Sequence, residues 1–391
     1  MFWNRRKSSM GAIGIDFRAD EIRLAQVKMQ GSELRVMGAA LELLQPTRQF
    51  ESSSASNEVA ASSAIEAVAL TPRLQTAITH GGFTGRECVL SVPPDKLFIQ
   101  SVRLPRMSDN ELQQAVKWEA AQRLGCSHQD LLVDYIATGA SVTGPNNREE
   151  IILVAVRQEE VMPWVQATID AGLKPVAVDA NFGGLSRVLS QTARRTSDVC
   201  QVRMVVEVGL KQTTVVILRG DRIAFCKQLA IGGMHFDQAV ADHLELDGHA
   251  AGELRRGCAQ DVTDSVVEPA TRRAIFEAVR PHFSELVKEI VLCLRYYGVT
   301  FRGLPPKHLI MTGLDGLDVK LMEMISSACK TQVEFDDEKG TLAALLEPIR
   351  VHLNREPGPA ARWAVACGLS LRKLWNRSRI ADPSRSGRRA A

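Results

Sequence analysis

A three-strand pattern opens this 391-residue chain and returns past its midpoint. In the first copy, apolar runs at 12–17, 21–29 and 33–44 are separated by turns near Ala19 and Gln30-Gly31. In the second, the runs are 203–208, 213–218 and 222–228, with turns at Gly209 and Gly220-Asp221. Short runs of this kind, bounded by turn residues, read as strands. Each copy's first strand ends on an acid, Asp16 or Glu207, and each hairpin that follows holds a glycine in its turn, Gly31 or Gly220. Such self-similarity points to one duplicated core rather than two or three unrelated domains.

The sequence between the copies changes style. The polar stretch 51–63 reads as a loop, 64–80 as a helix ended by Gly81-Gly82, and 87–92 as a strand closed by Pro93-Pro94. Residues 95–179 then run strand, helix, strand, strand, helix, strand, a ferredoxin-like order in an insert of about 85 residues. Its first helix starts on a capping box, Ser108 with Glu111, and stops at Gly125. Its second helix spans 158–171, and Trp118 and Trp164 are both expected to pack into the core. Beyond the second copy come helical stretches over 234–256 and a long helix at 271–297 with an expected kink at Pro281. A strand at 308–312, the loop Gly313-Leu314-Asp315-Gly316 and a helical run at 360–374 complete the pattern. The predicted organisation is a first lobe from 10–94 and 180–199, the insert 95–179, a second lobe 200–375, and a disordered basic tail 376–391.

Charge and composition exclude several functions. Hydrophobic residues make up 45% and charged residues 24%, as in folded globular proteins. A formal charge of +3 is too small for a nucleic-acid binder, and no such partner is expected. Residues 1–9 carry +3 and 372–391 carry +6, which leaves the body at −6. The longest strongly apolar run, 151–156, is far shorter than the ~20 residues that span a bilayer. The basic start is not followed by the apolar stretch of a secretory signal. Eight cysteines, never closer than 26 positions, predict reduced core thiols in a cytoplasm rather than a disulfide or zinc framework. The expectation is a soluble cytoplasmic protein whose basic ends can touch an anionic inner leaflet, at about 1 kcal/mol per basic residue near the surface.

Several stretches, in order, carry a resemblance. They are Gly14-Ile15-Asp16 with 22–28, Leu90-Ser91-Val92-Pro93, Leu104-Pro105 with Glu111-Leu112 and 116–120, and Val154-Ala155-Val156-Arg157. Next come Gln228-Leu229-Ala230-Ile231-Gly232-Gly233 and Ala364-Val365-Ala366-Cys367-Gly368-Leu369. Together, over about 10–375, they resemble the PilM family, actin-like proteins of type IV pilus assembly related to the division protein FtsA. The resemblance implies the two-lobed α/β fold of the actin, Hsp70 and sugar-kinase superfamily, with a duplicated βββαβα core. Residues 95–179 would be its inserted 1C subdomain. It implies a partner too, the N-terminal cytoplasmic tail of a PilN-like inner-membrane protein, held between subdomains 1A and 1C, alongside other pilus platform proteins. Location would be cytoplasmic, peripheral to the inner membrane through those partners.

In that superfamily two hairpin turns grip a nucleotide's phosphates, and the residues here depart from what gripping needs. The family's first turn is Asp-x-Gly-Ser-Ser-Ser; this chain has Asp16-Phe17-Arg18-Ala19-Asp20-Glu21. Phosphates want backbone N–H groups brought close by small residues. Asp20 and Glu21 would instead set carboxylates near a triphosphate, at roughly 3–4 kcal/mol per unit pair at ~4–5 Å and an effective dielectric of 20. Arg18 offsets part of this if it turns inward. The second turn keeps Gly209 with Lys211, Thr213 and Thr214, and the adenosine loop keeps Gly313 and Gly316. The candidate nucleotide residues are therefore Asp16, Arg18, Gly209, Lys211, Thr213, Gly313 and Gly316. Asp16 (through Mg²⁺) and Glu207 are the candidate catalytic acids. No cofactor is required by this reading; ATP with Mg²⁺ is the one left open. A degenerate nucleotide site on a scaffold is the expectation, with an active ATPase switch as the alternative. A small-molecule kinase would need a clear base and a glycine-rich phosphate loop, and the chain has neither. His243 to His249 reads as a helix end and its turn rather than a metal cluster.

Overall fold

The computed structural model describes residues 9–30, 33–44, 59–142, 148–190, 201–259, 268–335 and 360–374. The basic start and the tail 376–391, with their expected disorder and membrane contact, lie outside the described residues. The first copy of the repeat folds as β1 (Ser9–Phe17), β2 (Glu21–Gln30) and β3 (Glu33–Leu43), followed by helix α1 (Val59–His80) and β4 (Glu87–Val92). The insert contributes β5 (Phe98–Pro105), α2 (Asp109–Leu124), β6 (Leu131–Val142) and β7 (Arg148–Arg157). Helix α3 (Gln158–Asp170), β8 (Lys174–Ala180) and α4 (Asn181–Ser190) lead to the second copy, β9 (Val202–Val208), β10 (Thr213–Arg219) and β11 (Arg222–Leu229). Then come α5 (Gly233–Leu244), α6 (Gly248–Ala259), α7 (Pro269–Phe301), β12 (His308–Thr312), α8 (Val319–Cys329), β13 (Gln332–Phe335) and α9 (Ala364–Ser370).

The duplication is exact in topology. One sheet runs β3-β2-β1-β4-β8 and the other β11-β10-β9-β12-β13. In each, the first strand of the repeat is central, antiparallel to the second strand and parallel to the fourth. Parallel neighbours need a long crossover between them. Lobe 2 makes its β12-to-β13 crossover with α8 alone, whereas lobe 1 holds the insert between β4 and β8.

That topology corrects two sequence expectations. Strand β8 pairs parallel with β4 and so belongs to the first lobe's sheet, not to the insert. The insert's own sheet has three strands, β5-β7-β6, packed on α2 through Val102, Leu112, Val116, Ile151 and Leu153, and is not the six-element ferredoxin-like unit. The physical reason is burial. Helix α3 places Trp164 and Ala167 in the first lobe's core with Phe17, Leu70 and Leu74 of β1 and α1. The capping box forms as read, with the Ser108 N–H donating to Glu111 at 2.9 Å, and Gly125 closes α2 at φ +63°. Helix α7 passes through Pro281 and is longer than expected.

Period-two alternation distributes the strands between cores. Ile13, Ile15 and Phe17 point to the first lobe's outer core, while Ala12, Ala25 and Val27 face inward. In lobe 2, Met204, Val206 and Val208 face α5 and α7, and Val205 faces inward. The inward faces share one cluster, which runs through α4 and α9 from one sheet to the other. The two helices touch backbone to backbone: a Cβ at Gly368 would overlap the Gly184 carbonyl oxygen, and one at Gly14 would overlap that of Ala366. Above this shared floor the ends of β1 and β9 open into a cleft.

Candidate functional site

The two hairpin turns face each other across that cleft. Arg18 N–H donates to the Glu21 carbonyl at 2.9 Å in one, and Gly209 N–H to the Gln212 carbonyl at 3.0 Å in the other. Both candidate acids are buried beneath them. Asp16 is held by the Ser91 hydroxyl of β4, 3.0 Å from Oδ1, and that hydroxyl also accepts the Phe17 N–H. Glu207 accepts from Asn181 Nδ2 at 2.7 Å, at the start of α4. Asp16 is thus fixed within its own lobe, whereas Glu207 is held by Asn181 of the first lobe's α4.

Arg18 joins them. Its Nε donates to Asp16 Oδ2 at 2.8 Å and its Nη2 pairs with Glu207 Oε1, so one guanidinium bridges the lobes. Burial opposes the charge on Arg18, but Asp16 and then Glu207 outweigh it and raise its pKa above the usual arginine value. Arg23, opposite Asp16 in the β1–β2 register, lies 3.7 Å from Asp16 Oδ2 and also pairs with Glu21. Glu21 pairs again with Arg362, just before α9. Burial, followed by repulsion from Arg18, lowers the pKa of Arg23. Three carboxylates and three guanidiniums therefore interlock, as buried charges must. Glu21 is held inside this network rather than at the phosphate position expected from sequence, while Asp20 does line the cleft.

The remaining candidates divide. Gly209, Lys211 and Gly313 line the cleft, a space of about 590 Å³ counting its open mouth, together with Arg18, Thr214 and Asp95. Thr213 does not reach it, since its hydroxyl donates to the Ile231 carbonyl at 2.7 Å. Gly316 also lies off the lining. Lys211 spans the mouth to Asp95 at 3.0 Å, and Gln228 reaches the Pro94 carbonyl at 2.8 Å, so lobe 2 grips the entry to the insert.

Sequence reasoning missed the supports. Gly232 packs so tightly on the second turn that a Cβ there would come within 2.6 Å of Gln212 N, and α5 begins with N–H bonds to Gly209 and Leu210. Gly313 adopts φ +86°, a backbone that favours glycine. Behind it the buried Asp315 pairs with Arg255, whose Nε reaches Asp237 Oδ1 at 2.7 Å. Burial raises the pKa of Asp315, and Arg255 pulls it back only in part. Asn181, Asp237 and Arg255 stand outside every motif and carry no local signal, and Ser91 lies in a stretch that marks the resemblance without announcing its bond to Asp16. Gly232-Gly233 was visible as a glycine pair between a strand and a helix, and only its packing on the second turn was missed. Among the described residues no group of His, Cys, Asp and Glu is arranged to hold a metal ion. No described helix is long and apolar enough to cross a membrane.

Known proteins share this architecture. A solved PilM–PilN type IV pilus biogenesis complex is similar at 22% identity and TM-score 0.71, over 93% of this chain and 98% of that one. The ethanolamine utilization protein EutJ from Carboxydothermus hydrogenoformans matches at 13% identity and TM-score 0.50, over 94% and 91%. The fold is accordingly the actin-like one, two lobes around a cleft. The family model of the type IV pilus assembly protein PilM matches residues 14–374. A match over nearly the whole chain leaves one assignment: this protein belongs to the PilM family of type IV pilus assembly proteins.

Proposed function

We propose that the protein is a cytoplasmic actin-like scaffold of the type IV pilus, or a related secretion machine, that docks the N-terminal tail of a PilN-like inner-membrane protein. Through that tail and other platform proteins it sits at the inner membrane. The partner assignment is supported by the PilM–PilN complex, whose PilM-type fold this chain shares over nearly its full length. The nucleotide site is degenerate in this reading, and one observation carries that: the Arg18 guanidinium lies on both acids that would serve a magnesium–nucleotide complex. The residues present do not fit such a complex. Arg18 already balances both acids, and Asp20 and the Lys211-paired Asp95 add carboxylates to the cleft lining. Titration with Mg-ATP in a calorimeter should show no micromolar binding, and a synthetic PilN-like tail should bind the same sample. Tight Mg-ATP binding would overturn the degenerate-site reading; failure of a matched tail to bind folded protein would overturn the docking reading.

The second reading, an ATP-dependent switch, is favoured by the retained Asp16, Glu207 and Gly209 turn, with the Thr214 side chain beside the cleft. It requires Arg18 to release both acids when nucleotide enters. Under that reading Arg18→Ala should strengthen Mg-ATP binding.

A further inference from the structure

The end of α7 and the loop after it form a surface unlike the rest of the acidic body. From 291 to 307 the chain has Arg295, Arg302 and Lys307 and no acidic residue. All three cations are exposed, and none makes an ion pair among the described residues. Between them stand apolar side chains. Leu292, Tyr296 and Val299 follow the i, i+4, i+7 spacing that shares one helix face, and Val299 is 81% exposed. Leu304, just past the helix, is 75% exposed.

That projection is fixed rather than floppy. Arg302 ends the helix in the left-handed region at φ +47°. Gly303 sits on the buried Tyr297, where a Cβ would meet the phenol oxygen at 2.6 Å and the ring at 2.9 Å. Pro305 follows Leu304, and a residue before proline is restricted to extended backbone. Tyr296 is tied to the insert through Glu150, and Arg103 of the insert reaches Thr300 at 3.5 Å. Leu304 is therefore held outward with little left to order on contact. A peptide groove shields the side chains that line it; residues this exposed project into whatever they meet.

We infer that this tip is a membrane contact, with Val299 and Leu304 entering the headgroup region of an anionic bilayer while Arg295, Arg302 and Lys307 meet lipid phosphates. Apolar side chains ringed by cations are the chemistry of interfacial membrane binding. Each basic residue near an anionic surface strengthens binding about fivefold, and the stretch itself carries no acid. The inference stands on this surface alone and is independent of what the cleft binds.

Flotation of the full chain with phosphatidylglycerol–phosphatidylcholine vesicles, against phosphatidylcholine alone, tests it. Binding should be confined to the anionic vesicles and fall at least tenfold in the double variant Val299→Glu, Leu304→Glu, with the melting temperature unchanged. If the double variant is unstable, Leu304→Trp decides: its added fluorescence should be quenched by brominated lipid. A parent protein that ignores anionic vesicles, a stable double variant that floats like the parent, or an unquenched Trp at that position overturns the proposal. The second result would assign any membrane contact to the basic ends.

Discussion

Replacing Arg18 with alanine would leave Asp16 and Glu207 buried without the cation that bridges them. Breaking a buried pair by removing one partner costs about 3–5 kcal/mol, because the surviving charge stays desolvated. Arg18→Ala should lose about that much in urea denaturation, and millimolar Mg²⁺ should raise its melting temperature while leaving the parent unmoved. A variant as stable as the parent would show that the bridge is not what balances the acids. Trp118 makes the opposite case. Its spacing on α2 reads as a core position, yet it is 62% exposed and contacts the His128 ring at 4.7 Å between centroids. Trp118→Ala should change stability by no more than about 0.5 kcal/mol, as at other surface sites; a larger loss on thermal melting would restore the core assignment. Sequence shows an arginine where a small residue is expected, but its acceptor Glu207 lies 189 positions away, and no local pattern reports that.

At the scale of elements, α4 and α9 are joined by the contact of Gly184 and Gly368. Gly368→Ala places a methyl on a backbone carbonyl in a core that cannot yield, and overpacking of this kind costs typically ~1–3 kcal/mol and occasionally more. We expect at least the upper end, read as a lower urea midpoint, with Gly14→Ala behaving alike against α9. Normal stability in both variants would mean the helix pair can slide. Most strands were legible because short apolar runs between turn residues are local signals, but β13, with α8 before it, was missed. Sheet membership was not legible. Strand β8 carries nothing that says it will pair with β4 rather than with β5 or β6, because pairing is chosen by which sheet offers an edge and a covering helix.

For the whole molecule, buried thiols set a limit on alkaline stability. Burial pushes Cys88 up to about 12 and Cys293 to about 11, and raises Cys226 and Cys367 further. In the unfolded chain a thiol titrates near ~8.5. Above that pH the unfolded state gives up protons that the folded state keeps, so stability present below about pH 8.5 is lost as pH rises toward the folded values. Each thiol contributes about 1.4 kcal/mol per pH unit across that window. The melting temperature in reductant should fall between pH 8.5 and 10.5, and a flat profile would contradict the assignment. By itself the sequence determined the duplicated strand pattern, the acids at the strand ends, the glycine turns and the family, since each is written in neighbouring residues. Only the tertiary structure decided that the acids share one arginine, that Glu21 turns inward to Arg23 and Arg362, and that α3 and β8 serve the first lobe. Those outcomes depend on which buried charges and apolar faces meet across the fold, and that meeting is fixed by packing rather than by order along the chain.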